Sequence, residues 1–151
     1  MRYFSFALLL LLVACSEASV EAATGVRRDC SLVAIGSDYT STSVALLNAD
    51  GTLCVEPLLH SGSAGAGLVT ALSGDVVFPS APPKDGRVLV IDRYPNAVLT
   101  WISPSDATTE QLSVATGFAS NPQDAVEREG EWLVSRGATN PNAGREALDG
   151  G

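Results

Sequence analysis

The chain has one lysine (Lys84), one histidine (His60) and one methionine, with 17 % charged and 6 % aromatic residues. Basic residues number 9 against 17 acidic ones. There is therefore no positive stripe to neutralise a phosphate backbone, and nucleic acid is set aside as a partner. His60 has no neighbouring ligand cluster and no two cysteines stand in C-x-x-C spacing; neither a metal site nor a cofactor is implied. Sparse charge and a mean hydropathy of +0.20 exclude an acidic disordered tail. The longest apolar stretch, Tyr3 to Val13, broken only by Ser5, is far short of the ~20 residues a membrane-crossing helix needs. Sustained helical periodicity is also missing.

What is there begins with that stretch. It follows the positive end Met1-Arg2, has the length of a signal-peptide apolar region, and ends Leu12-Val13-Ala14-Cys15. These four residues resemble the bacterial lipobox. The resemblance implies that residues 1–14 are a lipoprotein signal peptide, and that Cys15 takes diacylglyceryl and palmitate groups as the mature N-terminus. At about 0.8 kcal/mol per buried methylene, several acyl chains make a permanent membrane anchor. Ser16, where aspartate would signal inner-membrane retention, implies the outer membrane of a bacterial cell envelope. An ordinary secretory leader with an incidental cysteine is the competing reading, and it too exports the chain. Residues 15–29 form the lipidated N-terminus and a small, polar, patternless tether.

Three cysteines are an odd number for an exported chain. Acylation of Cys15 leaves Cys30 and Cys54 as the possible intrachain pair, in a compartment that permits the bond. Closing that loop would stabilise by about 3 kcal/mol; two buried thiols are the alternative.

Residues 30–151 have room for one domain. They read as all-β: SLVAIG, TSVALL, TLCVEPLL, LVTALS, DVVFPS, RVLVID, AVLTWIS, QLSVAT, DAVERE and EWLVSR are apolar-alternating or β-branched runs between turn residues. Asp50-Gly51, Ser73-Gly74-Asp75, Asp85-Gly86 and Glu129-Gly130 are placed to give tight turns their positive φ. The runs also repeat. GLVTALSGDVVFPS aligns with QDAVEREGEWLVSR at an offset of 56, and TSVALLNADG with GRVLVIDRYP at an offset of 44, spacings that suit a four-stranded propeller blade.

VVFPSAPPKDGRVLVIDR and GFASNPQDAVEREGEWLVSR, with Gly117 and Pro122 in place, resemble the YVTN-type β-propeller repeats of bacterial surface and periplasmic proteins over residues 31–140. The resemblance implies an incomplete β-propeller of about two four-stranded blades, the N-terminal part of a longer one, because propellers close with at least four blades. A two-sheet sandwich is the competing architecture.

No catalytic residue stands out. SGSAGAG lacks the glycines of a nucleophile elbow or a dinucleotide loop, and His60 has no triad spacing. Asp38, Asp92 and Asp124 stand near strand ends, where propellers place ligand-facing loops; capping turns is their other role. The expectation is a membrane-anchored binding or interaction module for an unknown protein or small molecule. The alternative is a fragment of a metal-dependent propeller hydrolase or lactonase. Metabolic labelling with a palmitate analogue tests the anchor: the chain takes up label and Cys15→Ala does not, and equal label in both overturns the lipobox.

Overall fold

A computed structural model describes residues 30–65, 67–115 and 120–137. Cys15, the signal peptide, the tether, Gly117 and residues 138–151 lie outside them. The described residues are all-β, with no helix and only antiparallel pairing. Three sheets follow one another: β1 (Leu32–Ser37), β2 (Thr42–Leu47) and β3 (Leu53–His60); then β4 (Val76–Val77), β5 (Val88–Asp92), β6 (Val98–Ser103) and β7 (Thr108–Ser113); then β8 (Pro122–Arg128) and β9 (Glu131–Arg136). Within each sheet spatial order equals chain order, because short turns join neighbours. Among the described residues the strands number three, four and two, so one sheet there has the four expected of a blade.

The central strands of the second sheet, β5 and β6, are buried on both faces. Val90 and Ile102 pack with Val44, Leu46 and Leu59 of the first sheet, while Leu89, Ile91, Leu99 and Trp101 pack with Ala125, Trp132 and Val134 of the third. Successive side chains on a strand point to opposite faces, so β5 must be apolar at consecutive positions; Leu89, Val90 and Ile91 are at most 1 % exposed. This arrangement replaces the two-sheet sandwich, in which each sheet buries a single face.

The same packing recurs one sheet later. Ile35 faces Val44 and Val33 faces Leu46 across β1 and β2, as Ile91 faces Leu99 and Leu89 faces Trp101 across β5 and β6. The separations are 56 residues for β1 to β5 and 55 for β2 to β6. Trp132 and Val134 of β9 follow Val88 and Val90 of β5 at 44 residues. The two spacings read from the sequence are therefore present but belong to other strand pairs: β2 answers to β6, not to β5. A period of two lets any strand be laid on any other.

LVTALS is not a strand. Gln111 of β7 accepts the amides of Val69 (2.7 Å) and Thr70 (3.1 Å) and donates to Thr100 Oγ1. The segment is held as a loop whose Leu68 and Leu72 pack against the core between the first two sheets. β4 stops after two residues, since Phe78-Pro79 and Pro82-Pro83 follow and proline cannot donate to a ladder. Gly51, Gly86 and Glu129-Gly130 do take positive φ, and the last pair closes a two-residue hairpin between Arg128 and Glu131.

Cys30 and Cys54 form a disulfide with Cα atoms 5.9 Å apart. It packs with Leu46 against the second sheet and ties the start of β1 to edge strand β3. β3 carries extra residues between the Leu46–Val55 and Val44–Leu59 pairs, a bulge that accommodates Pro57. Trp101 meets Trp132 edge-on at 5.4 Å, with the Arg87 guanidinium 5.6 Å from its ring centre.

Ile91→Ala should lose about 2–5 kcal/mol by leaving a cavity at the second interface. Leu112→Ala, at a half-exposed side chain, should lose under ~1 kcal/mol. Denaturant unfolding of both variants checks this, and equal losses would contradict the two-faced burial of β5.

Candidate functional site

The first sheet ends in a polar groove of about 570 Å³ between the β1–β2 turn and the end of β3. The turn is built by Asp38. Its Oδ1 accepts the amides of Ser41 (2.7 Å) and Thr40 (2.9 Å) and the Ser41 hydroxyl (3.3 Å), the local bonding that favours aspartate in turns. The Ser41 amide above all, then that of Thr40, holds the Asp38 carboxyl below the usual carboxylate range. Asp38 Oδ2 has no hydrogen bond among the described residues.

Between Asp38 and Thr40, Tyr39 has φ = 65° and is 85 % exposed. That φ is a left-handed conformation that an aromatic residue adopts only under constraint. The constraint comes from below. Gly74 lies so close that a Cβ there would sit 2.2 Å from the Tyr39 carbonyl carbon, and Ser37 Oγ donates to Gly74 O at 2.6 Å. Gly74 was expected to supply a positive φ; it instead permits close approach of two backbones.

Asp92 holds this floor. It is fully buried at the end of β5 and accepts Ser73 N (2.7 Å), Ser73 Oγ (2.6 Å) and Asn96 Nδ2 (2.8 Å), enough donors to offset burial of a carboxylate. The Ser73 carbonyl in turn accepts from Thr42 Oγ1 at 2.6 Å. The structure thus joins two of the three aspartates read from the sequence: Asp38 lines the groove and Asp92 supports it from the core.

His60 is exposed and stands opposite Ser43 in the β2–β3 register. Its Nδ1 accepts from Gly62 N at 2.9 Å, so in the neutral ring the proton sits on Nε2. A nucleophilic triad needs the other tautomer, with Nδ1–H donating to a carboxylate and Nε2 free to take the serine proton. Ser61 Oγ accepts from Thr42 N, whereas Ser43 Oγ has no hydrogen bond among the described residues. The arrangement leaves donors and acceptors on an exposed surface and does not order them for a proton relay. No group of three or more His, Cys, Asp or Glu side chains is placed to hold a metal among the described residues.

Asp124 lies apart, beside a second groove of about 560 Å³ lined by Val114, Val126 and Trp132 to Val134. It accepts Ser80 N (2.9 Å) and Ser80 Oγ (2.6 Å), latching the β4–β5 loop to the third sheet. Sequence reasoning missed Tyr39 and Ser43 and gave Gly74 a different role, that of a turn glycine. Asp38-Tyr39-Thr40-Ser41 carries the Asp-x-Thr-Ser pattern of an aspartate-capped turn, the one local signal that could have located the first.

Comparison with protein-family models, curated proteins and solved structures finds no match.

Hydrogen bonds from the Ser80 hydroxyl first, then its amide, lower the Asp124 carboxyl. A carboxyl depressed in the folded state stabilises above its unfolded value, near pH 4, and that contribution is lost as pH falls through the depressed value. Ser80→Ala should therefore destabilise by about 1 kcal/mol at pH 7 and by less at pH 2. Denaturant midpoints at the two pH values measure this; an unchanged difference between them would show that the latch does not depend on the carboxylate.

Proposed function

We propose that this chain is a membrane-anchored extracytoplasmic lipoprotein whose sheets are blades of a β-propeller-type binding module, with end loops that contact a ligand. The observation that carries the blade reading is the recurrent packing: the pairs Ile35–Val44 and Val33–Leu46 return as Ile91–Leu99 and Leu89–Trp101, each set covered by the following sheet. A unit whose far face receives the next unit's near face is the geometry of serial blades. Chain order within each sheet supports the same reading, as a blade is an up-and-down meander.

The anchor follows from Leu12-Val13-Ala14-Cys15, and the Cys30–Cys54 bond suits an oxidising compartment. Binding fits better than catalysis because the groove at the end of the first sheet holds His60 in the wrong tautomer for a nucleophilic relay. Asp38, His60 and Ser61 are fixed there by turn and backbone bonds, which preorganises them without activating any of them.

Fractionation of a diderm bacterium expressing the full chain tests the reading. The chain should sediment with the outer membrane and Cys15→Ala should appear in the periplasm, both resisting thiol alkylation at Cys30 and Cys54 until reduced. A cytosolic chain with its leader intact and reactive thiols would overturn it.

A further inference from the structure

Resting on that binding-module reading, we infer that the groove at the end of the first sheet takes a neutral, polyhydroxylated ligand, an oligosaccharide, with the Tyr39 ring as its stacking platform. Three polar groups there have no protein partner among the described residues: Asp38 Oδ2 as acceptor, His60 Nε2–H as donor and Ser43 Oγ as both. A sugar hydroxyl also donates and accepts, so adjoining hydroxyls of one ring can satisfy the carboxylate and the imidazole together. A cation would satisfy the carboxylate but leave the imidazole N–H and its own charge unmatched, with a single carboxylate on the groove.

Tyr39 does not line the groove itself but stands on the turn at its rim, between the lining residues Asp38 and Ser41, where it supplies the apolar half of such a site. The residue is 85 % exposed and adds little to the core, yet its backbone is held at φ = 65°, a conformation glycine or asparagine would adopt at less cost. Core stability therefore does not account for a tyrosine at this position. The turn that carries it is fixed from both sides, by the Asp38 carboxylate above and by the Gly74 backbone below. An exposed aromatic on a rigid turn beside free donors and acceptors offers a flat apolar surface to the C–H face of a sugar, at little entropic cost on binding.

The Cys15→Ala chain, which keeps every residue of the three sheets, can be titrated by ¹⁵N–¹H NMR with neutral malto-, cello-, chito- and manno-oligosaccharides, and with choline as a cationic control. We expect saturable shifts from at least one oligosaccharide, confined to residues 37–43 and 60–62, and none from choline. Tyr39→Gly should weaken binding at least tenfold while its thermal midpoint stays equal or rises, since glycine accepts the left-handed φ. His60→Ala should also weaken it. Shifts from choline alone, silence across the panel, or undiminished binding by Tyr39→Gly would each overturn the inference. Oligosaccharide shifts that map to the groove beside Trp132 would overturn this site while leaving the binding-module reading standing.

Discussion

Consecutive side chains of β5 pack on different sheets, and the rest of the fold depends on that division. Val90 faces the first sheet and its neighbours Leu89 and Ile91 face the third. Full burial of each such side chain stabilises by about 1.5–3 kcal/mol, so one short strand anchors both interfaces. The strand cannot alternate apolar with polar, because neither of its faces meets water. Its partner β6 obeys the same rule: Val98, Leu99, Thr100, Trp101 and Ile102 are all buried, and the one hydroxyl among them, Thr100 Oγ1, accepts from Gln111.

The core also reaches the surface through hydrogen bonds. At the end of β5 the buried Asp92 carboxylate holds Ser73. The Ser73 carbonyl takes the Thr42 hydroxyl and the adjacent Gly74 carbonyl takes that of Ser37. Ser37 and Thr42 bracket the turn in which Asp38 fixes Ser41 and Tyr39 is displayed. The groove is thus a sheet end built on a rigid stack, with its turn tied to the core by a chain of hydrogen bonds.

Much of this architecture was legible in the residues. RVLVID, AVLTWIS and EWLVSR became strands because their patterns leave no other way to bury them. The turn glycines 51, 86 and 130 took the positive φ expected of them, and the two cysteines left by a lipobox reading proved to be bonded. Other parts were hidden for physical reasons. LVTALS has the alternation of a strand, but a side chain distant in sequence, Gln111, claims its amides. The repeat spacing was visible while its strand assignment was not, since the alternation is the same in every strand. Tyr39 and Gly74 are 35 residues apart in sequence, and nothing local announces that one supports the other.

Methyl-to-methyl NOEs from β5 test the central claim most directly. If a single strand divides its side chains between two sheets, Val90 shows cross-peaks to methyls of Val44, Leu46 or Leu59, while Leu89 and Ile91 show them to Ala125 or Val134. Cross-peaks from all three residues to one and the same sheet would contradict the stacked arrangement, and with it the repeated packing on which the blade reading rests.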